Sequence, residues 1–415
     1  MTTMTKTMAA WSLAALITTA ACDGSSGAGG RASFRDSAGV RIAENVTPDD
    51  SAAHVWWTVG EVVFDIGGAE AVEPYVIDRA VAAVRQPDGS IVIASGVSSD
   101  VRVFSASGEH LRTTGRKGGG PGEFQSIAWM QPMAGDSILV FDGTARRFTV
   151  LDPRAGFVRV ISTPPDFRPN RVYGRFADGR LLVSVPGSAS MSPAELKHNE
   201  VSRLPVQIAR YAIDQQLADS LGSFAGNERL VRISARPGGE ISSIEILTTP
   251  FSKTTAFAAG DHEFFVGLQD HPEVLVYDTA GALRRVIRTG RAAEPVTQQH
   301  LDARFERQLE QLPTQRAAQM RASGPPDLPH GDVVPPYGEL LAGRTGNLWV
   351  ADYGDPLDPP NRWTIYAPDG ALAARIVLPE KFRPLEIGDD YILGRELDDM
   401  DAERVRVYRL LTQRR

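Results

Sequence analysis

Along the chain, short apolar runs follow turns built on Gly beside Asp, Asn or Thr, and six such units recur. They are Asp88-Gly89 before Ile91-Val92-Ile93, Gly135-Asp136 before Ile138-Leu139-Val140, and Asp178-Gly179 before Leu181-Leu182-Val183. Gly260-Asp261 before Phe264-Phe265-Val266, Gly346-Asn347 before Leu348-Trp349-Val350, and Gly388-Asp389 before Tyr391-Ile392-Leu393 complete the set. A Gly-containing turn feeding an unbroken apolar run predicts a hairpin entering a buried strand. After each comes an alternating strand that ends on a large residue: Phe104, Leu151, Tyr211, Tyr277, Tyr366 and Tyr408. Four copies add a further turn and strand, at Ser107 to Leu111, Ala155 to Val158, Ala280 to Leu283 and Asp369 to Leu372. With the apolar segment ahead of each Gly turn, the unit is four strands, the size of a propeller blade.

The closing repeat has no room for its fourth strand before Arg415, but Val55 to Val59 running into Val62-Val63-Phe64 is an unassigned alternating segment that can supply it. Such a strand would leave no sheet edge unpaired at the seam. The six large residues lie 47, 60, 66, 89 and 42 positions apart, and the longest gap holds the one extended helical pattern. Leu301, Phe305 and Leu309 fall on one helical face between Pro295 and Ser323, with Thr297 as the cap and Pro313 as a break. A Pro-rich run, Pro325 to Pro336, leads back to the sheet, so 291–336 reads as an insertion between blades. The expected fold is all-β, a six-bladed β-propeller of four-stranded blades closed by an N-terminal strand.

Composition adds a compartment. Met8 to Ala21 carries no charge, follows Lys6, and ends in Ala20-Ala21 ahead of the only cysteine, Cys22. The run is too short to span a bilayer and has the form of a signal-peptide core. With Cys22 it resembles the bacterial lipoprotein signal, which implies that the cysteine is lipidated and begins the mature chain. The expected layout is a signal peptide at 1–21, lipidated Cys22 and a flexible tether at 22–33, and the propeller at 34–415. The expected location is the envelope of a bacterium, periplasmic or surface face, with plain secretion as the alternative. A net charge of −7 would repel a phosphate backbone, so nucleic acid is not an expected partner.

Gly115-Arg116-Lys117-Gly118-Gly119-Gly120-Pro121-Gly122-Glu123-Phe124 follows a Pro-Asp-Gly strand and a Val-Arg-Val-Phe strand. Together with Asn347 to Asp352, these residues resemble the NHL-type six-bladed β-propeller. The resemblance implies a platform for a protein, peptide or glycan; relatives with the same ring include lactonases, lyases and sugar dehydrogenases. The glycines also invite a phosphate-loop reading, but no Gly-Lys-Ser/Thr follows, and a blade crossing that needs glycine dihedrals is the better one.

Hydrolase signatures are missing from the sequence, and the His residues are scattered at 54, 110, 198, 262, 271, 300 and 330. Asp352, Asp355 and Asp358, and Asp398, Asp399 and Asp401, lack the spacing of a calcium loop and read as solvated acidic turns. No cofactor or metal ligand set is therefore expected, with an axial calcium or other divalent metal left to the enzyme alternative. One residue per blade stands just before its first strand, where crossings meet the central opening: Arg79, Gln125, Arg171, Lys253, Tyr337 and Arg383. Four are cationic in an acidic chain, so they form the candidate ligand-binding set, suited to an anion. The expected protein is a monomeric, membrane-anchored binding scaffold; the alternative is a lactonase-, lyase- or dehydrogenase-type enzyme with an axial metal and unassigned catalytic residues.

Overall fold

The structure, a computed structural model, describes residues 32–46, 57–164, 167–185, 198–236, 241–354 and 360–412. The signal segment, Cys22, Asp355 and Asp358 lie outside the described residues. The protein is mostly β, with strands gathered into six antiparallel meanders of four to six strands, one of which also takes in a parallel strand. In the first sheet, Ala80–Arg85, Ile91–Ser95, Val101–Phe104 and His110–Thr114 lie side by side in sequence order. The second sheet repeats this with strands from Ile127–Pro132 to Gly156–Ser162, and the fifth with strands from Leu340–Ala342 to Leu372–Val377.

Second strands are apolar without alternation because they are covered on both faces. Ile91–Ser95, Ile138–Asp142 and Leu348–Ala351 are buried at every position, whereas the outer strand His110–Thr114 is mostly exposed. Six clusters of buried side chains fill the spaces between consecutive sheets. Val92 meets Val140 between the first and second, Phe141 meets Leu181 between the second and third, and Leu182 meets Phe264 between the third and fourth. Val274 meets Leu348 between the fourth and fifth, and Trp363 meets Ile392 between the fifth and sixth. Leu393 and Val405 of the sixth sheet then pack on Ile91 and Phe104 of the first, so the succession returns to its start.

The sixth sheet, Phe382–Ile387, Tyr391–Leu397 and Glu403–Thr412, takes its outer strand from far upstream. Trp57–Gly67 (β3) pairs antiparallel with Glu403–Thr412, matching Ile66 with Val405 and Phe64 with Val407. Two sheets exceed the expected four strands. The third has a fifth, Ile241–Leu247, beside the long hairpin Glu200–Ala212 and Leu217–Ala235. Onto the fourth, an N-terminal hairpin of Ala32–Ser37 (β1) and Val40–Asn45 (β2) adds two strands, β2 running parallel to Leu283–Arg288. The described residues begin at Ala32, within this hairpin.

All sheets have two distinct ends. Gly turns join strands at one end, the turn end; at the other, the crossing end, one sheet passes into the next. The insertion leaves the crossing end as two helices, Gln298–Glu310 (α1) and Thr314–Ser323 (α2). Thr297 and His300 form a reciprocal capping box at the start of α1, and Pro313 precedes α2. The cap satisfies amides with no intrahelical partner, and proline at the second start costs no donor.

Candidate functional site

A cavity of about 340 Å³ opens at the crossing end, where the third and fourth sheets meet the arm that follows α2. One wall is Glu228, Lys253, Gln269, Asp270, His271 and Pro272; the other is the arm from His330 to Pro336. The arm docks through Gly331, whose N–H donates to the Pro250 carbonyl at 3.0 Å. A Cβ at Gly331 would stand 2.2 Å from the Phe251 carbonyl oxygen, so only glycine allows this approach. Val334 N–H to the Glu294 carbonyl and Val296 N–H to the Asp332 carbonyl, both 2.9 Å, tie the arm to the residues that leave the fourth sheet.

Arg203 sets the sheet-side wall. Its guanidinium donates to both Asp270 carboxylate oxygens at 2.9 Å, to the Gly226 and Leu268 carbonyls at 2.6 and 2.9 Å, and to the Thr255 hydroxyl at 2.8 Å. A planar fork with every direction used is a rigid clamp between two sheets. Asp270 also accepts from Lys253 Nζ at 3.1 Å, and Glu228 accepts the Lys253 backbone N–H at 2.7 Å. Gln269, at φ +61°, accepts from Thr254 N–H at 2.6 Å and donates to the Tyr337 carbonyl. The polar wall is thus fixed before any ligand arrives, while Val201, Val333, Val334 and the prolines supply apolar area.

A second cavity of about 170 Å³ shares Val334 with the first. Its roof is His300, Ala303, Arg304 and Arg307, one stripe of α1 at i, i+3, i+4 and i+7. Its base is Phe251 and Tyr353, whose ring centroids are 6.0 Å apart. His300 is held by the cap on one nitrogen and by Glu294 at 3.2 Å on the other.

Of the six residues singled out before the first strands, Lys253 alone lines the larger cavity. Lys253 is paired with Asp270, and Arg383 with Glu339. Arg79, at φ +53°, donates to the Gly96 carbonyl at 2.9 Å. Arg171 lies over the Tyr173 ring at 5.3 Å, and Gln125 is exposed. Tyr337 is fully buried; its hydroxyl donates to the Glu273 carbonyl at 2.7 Å, and burial pushes its phenol well above the ordinary range. Arg79, Gln125, Lys253 and Tyr337 precede their first strands, whereas Arg171 and Arg383 lie within theirs, and side-chain direction and the neighbouring carboxylates belong to the fold. Arg203, Glu228 and Asp270 carried no sequence signal, since each takes its role from a partner on another sheet or loop.

The Gly-rich crossing binds itself. Glu123 accepts Gly120 N–H at 2.8 Å and pairs with Arg116 at 2.8 Å, and these hold its carboxyl below the usual range. Arg147 fastens the Gly119, Gly120 and Glu123 carbonyls at 2.8 to 2.9 Å. A carboxylate of the chain stands where a phosphate would be needed. Of the acidic turns, Asp398 caps the amides of Ala69, Met400 and Ala402, and Asp352 pairs with Arg291. Among the described residues, no three His, Cys, Asp or Glu side chains converge as a metal ligand set.

No family model matches the sequence, and no curated protein matches it. Among solved structures, a member of the DUF4221 family from Bacteroides vulgatus is 10% identical with a TM-score of 0.51, over 87% of this chain and 99% of that one. The likeness shows a shared fold, of propeller type. A putative exported protein from Bacteroides fragilis is 11% identical with a TM-score of 0.48, over 89% and 98% of the two chains. Regucalcin, a calcium-binding protein from Agrobacterium tumefaciens, is 14% identical with a TM-score of 0.42, over 87% and 97%. No helix among the described residues is long and apolar enough to cross a membrane.

Proposed function

We propose that the six sheets are the blades of one closed propeller, tethered to the bacterial envelope by lipid on Cys22, and that the chain is a binding protein whose ligand seats in the larger crossing-end cavity. The observation that carries this reading is the polar wall of the cavity, which the chain's own bonds hold in place: Glu228 is bonded to a backbone amide and Asp270 to two cations. These two carboxylates serve the wall, and Asp332, His271 and His330 are the other titratable groups on the lining. A cavity of about 340 Å³ with fixed polar groups on one wall and apolar groups on the other suits one peptide segment or a sugar unit. Arg79 and Arg171, which have no carboxylate on them among the described residues, favour an acidic ligand on this face.

The test is a thermal-shift titration with short acidic peptides, uronic-acid oligosaccharides and their neutral counterparts. A ligand at a hundred times its dissociation constant stabilises the fold by about 2.7 kcal/mol. Val333→Trp, which fills the cavity from the arm, should abolish the shift while leaving the free protein's melting temperature in place. An undiminished shift in that variant, or turnover of any of these probes by the purified protein, would overturn the reading.

A further inference from the structure

Phe251 stands where the backbone disfavours a large side chain. Ser252 N–H donates to the Thr249 carbonyl at 3.3 Å, closing a turn in which Pro250 comes second and Phe251 third, at φ +54°. A third turn position with positive φ ordinarily takes glycine or asparagine, because a Cβ is crowded there and a bulky side chain is an outlier. The turn is held from both sides: Thr249 and Ser252 are buried, and the Pro250 carbonyl accepts Gly331 N–H from the arm at 3.0 Å. What a phenylalanine adds at this strained position is its ring, which with that of Tyr353 makes the base of the smaller cavity.

The roof above that base is cationic. Arg304 and Arg307 lie on the stripe of α1 that lines the cavity, and Arg307 Nε donates to the Ala303 carbonyl at 3.3 Å, which lays the guanidinium back along the helix. His300 closes one side, its ring 5.9 Å from that of Phe251 and its two nitrogens engaged by the Thr297 amide and by Glu294. An aromatic floor under guanidinium groups suits one flat ring, whose face attracts the cations while the rings below meet it edge-on or offset. An apolar cavity of about 150 Å³ holds a benzene, so about 170 Å³ has room for one such ring and little more. A sugar carries hydroxyls all round its ring, and the base and the His300 side leave most of them unanswered.

Resting on the binding reading of the larger cavity, we propose that the smaller one is the seat of an aromatic side chain, and that the ligand is a peptide in which Phe or Tyr stands beside acidic residues. Val334 lines both cavities, so a chain lying in the larger one has this side chain alone to pass before it reaches the smaller. The Val334 N–H bond to the Glu294 carbonyl holds that ledge in place. Backbone and acidic groups then lie along the polar wall, and the ring turns under α1.

The purified full chain is tested with two sets of probes. Phenylacetate, cyclohexylacetate and benzylamine need only the smaller cavity, and saturation-transfer NMR reads their binding. Phenylacetate should bind several-fold more tightly than cyclohexylacetate, which matches its charge and size without a π face, and benzylamine, which brings a cation under the arginines, should not bind. Ala303→Trp, at an exposed position of the roof, should abolish phenylacetate binding in a protein whose melting temperature shows it folded. A blocked Glu-Phe-Glu tripeptide needs both cavities and should bind at least tenfold more tightly than Glu-Ala-Glu in calorimetry, a difference that Ala303→Trp should erase. Equal binding of phenylacetate and cyclohexylacetate, or phenylacetate binding that survives Ala303→Trp, would overturn the aromatic seat. Tripeptides of equal affinity would overturn the link between the cavities, and a uronic-acid oligosaccharide that outbinds Glu-Phe-Glu would overturn the peptide. If phenylacetate behaves as expected and neither tripeptide binds, the reading of the larger cavity is what fails.

Discussion

Asp142 carries more backbone than any other carboxylate among the described residues, and replacing it should destabilise the crossing between the first and second sheets. It is fully buried at the end of Ile138–Asp142. One oxygen accepts Gln125 N–H at 2.7 Å, and the other accepts Ser126, Thr144 and Ala145 N–H at 3.2, 3.1 and 2.9 Å. Asn keeps the shape but turns an NH₂ toward one set of donors, so at least one amide loses its acceptor and faces another donor. Hydrogen bonds to charged groups contribute about 1.5–3 kcal/mol each, and a buried amide left unpaired costs about 1–3 kcal/mol. The four bonds share one group and do not add, so about 3 kcal/mol is expected for Asp142→Asn and about 4 kcal/mol for Asp142→Ala. Urea unfolding followed by tryptophan fluorescence, with the slope unchanged, reads the loss as a shifted midpoint. Glu123→Gln, on a partly exposed carboxylate of the same crossing that accepts Gly120 N–H where Asp142 accepts four amides, is the comparison and should cost less than Asp142→Asn. A loss below about 1 kcal/mol for Asp142→Asn would refute the reasoning, because the amides would then be satisfied without the carboxylate.

Three further outcomes follow from local geometry. Burial pushes the Glu403 carboxyl up, outweighing the Ala80 N–H it accepts at 2.6 Å, so the folded state holds its proton more tightly than the unfolded one and stability falls as pH rises through the interval above the ordinary carboxylate range. Glu403→Gln should therefore gain on the wild type between pH 4 and pH 7 in urea midpoints, while Asp398, held low chiefly by the Ala69 amide, gives stability that is lost on acidification and that Asp398→Asn should lack. Gly331→Ala, which forces a Cβ against the Phe251 carbonyl, should cost about 1–3 kcal/mol and speed hydrogen exchange at Val296 and Val334 as the arm lifts.

The strand pattern was legible because its signals are local. A Gly turn followed by an apolar run marks a doubly covered strand wherever it occurs, Thr297 marks a helix start and Pro313 a helix break through chemistry confined to one turn, and the structure resumes as a second helix at Thr314. The third sheet escaped this logic at its outer hairpin: the bend at Asp214 to Gln216 contains no glycine, and Gln216 itself takes φ +53°. The N-terminal hairpin escaped it too. Ala32–Ser37 is largely exposed, so no apolar period announces it, and its fastening depends on Asn45 meeting Gly370 and Leu372 over three hundred positions later. The site was hidden for the same reason, since Arg203, Glu228, Asp270 and the Gly331 arm become one wall only when distant segments meet.

Pairing of β3 with Glu403–Thr412 also governs the order in which the chain can fold. The partners are more than three hundred residues apart, so closing this contact carries a high entropy cost, and it cannot form until Glu403–Thr412 has been made. Until then β3 and β1–β2 wait beside the growing body, and Tyr391–Leu397 and Ala80–Arg85 share an incomplete core. Folding should show a slow last phase that reports on closure of the seam, with the early strands open to chaperones and proteases throughout. The sixth sheet is whole only once β3 and Glu403–Thr412, made at such different times, have found one another.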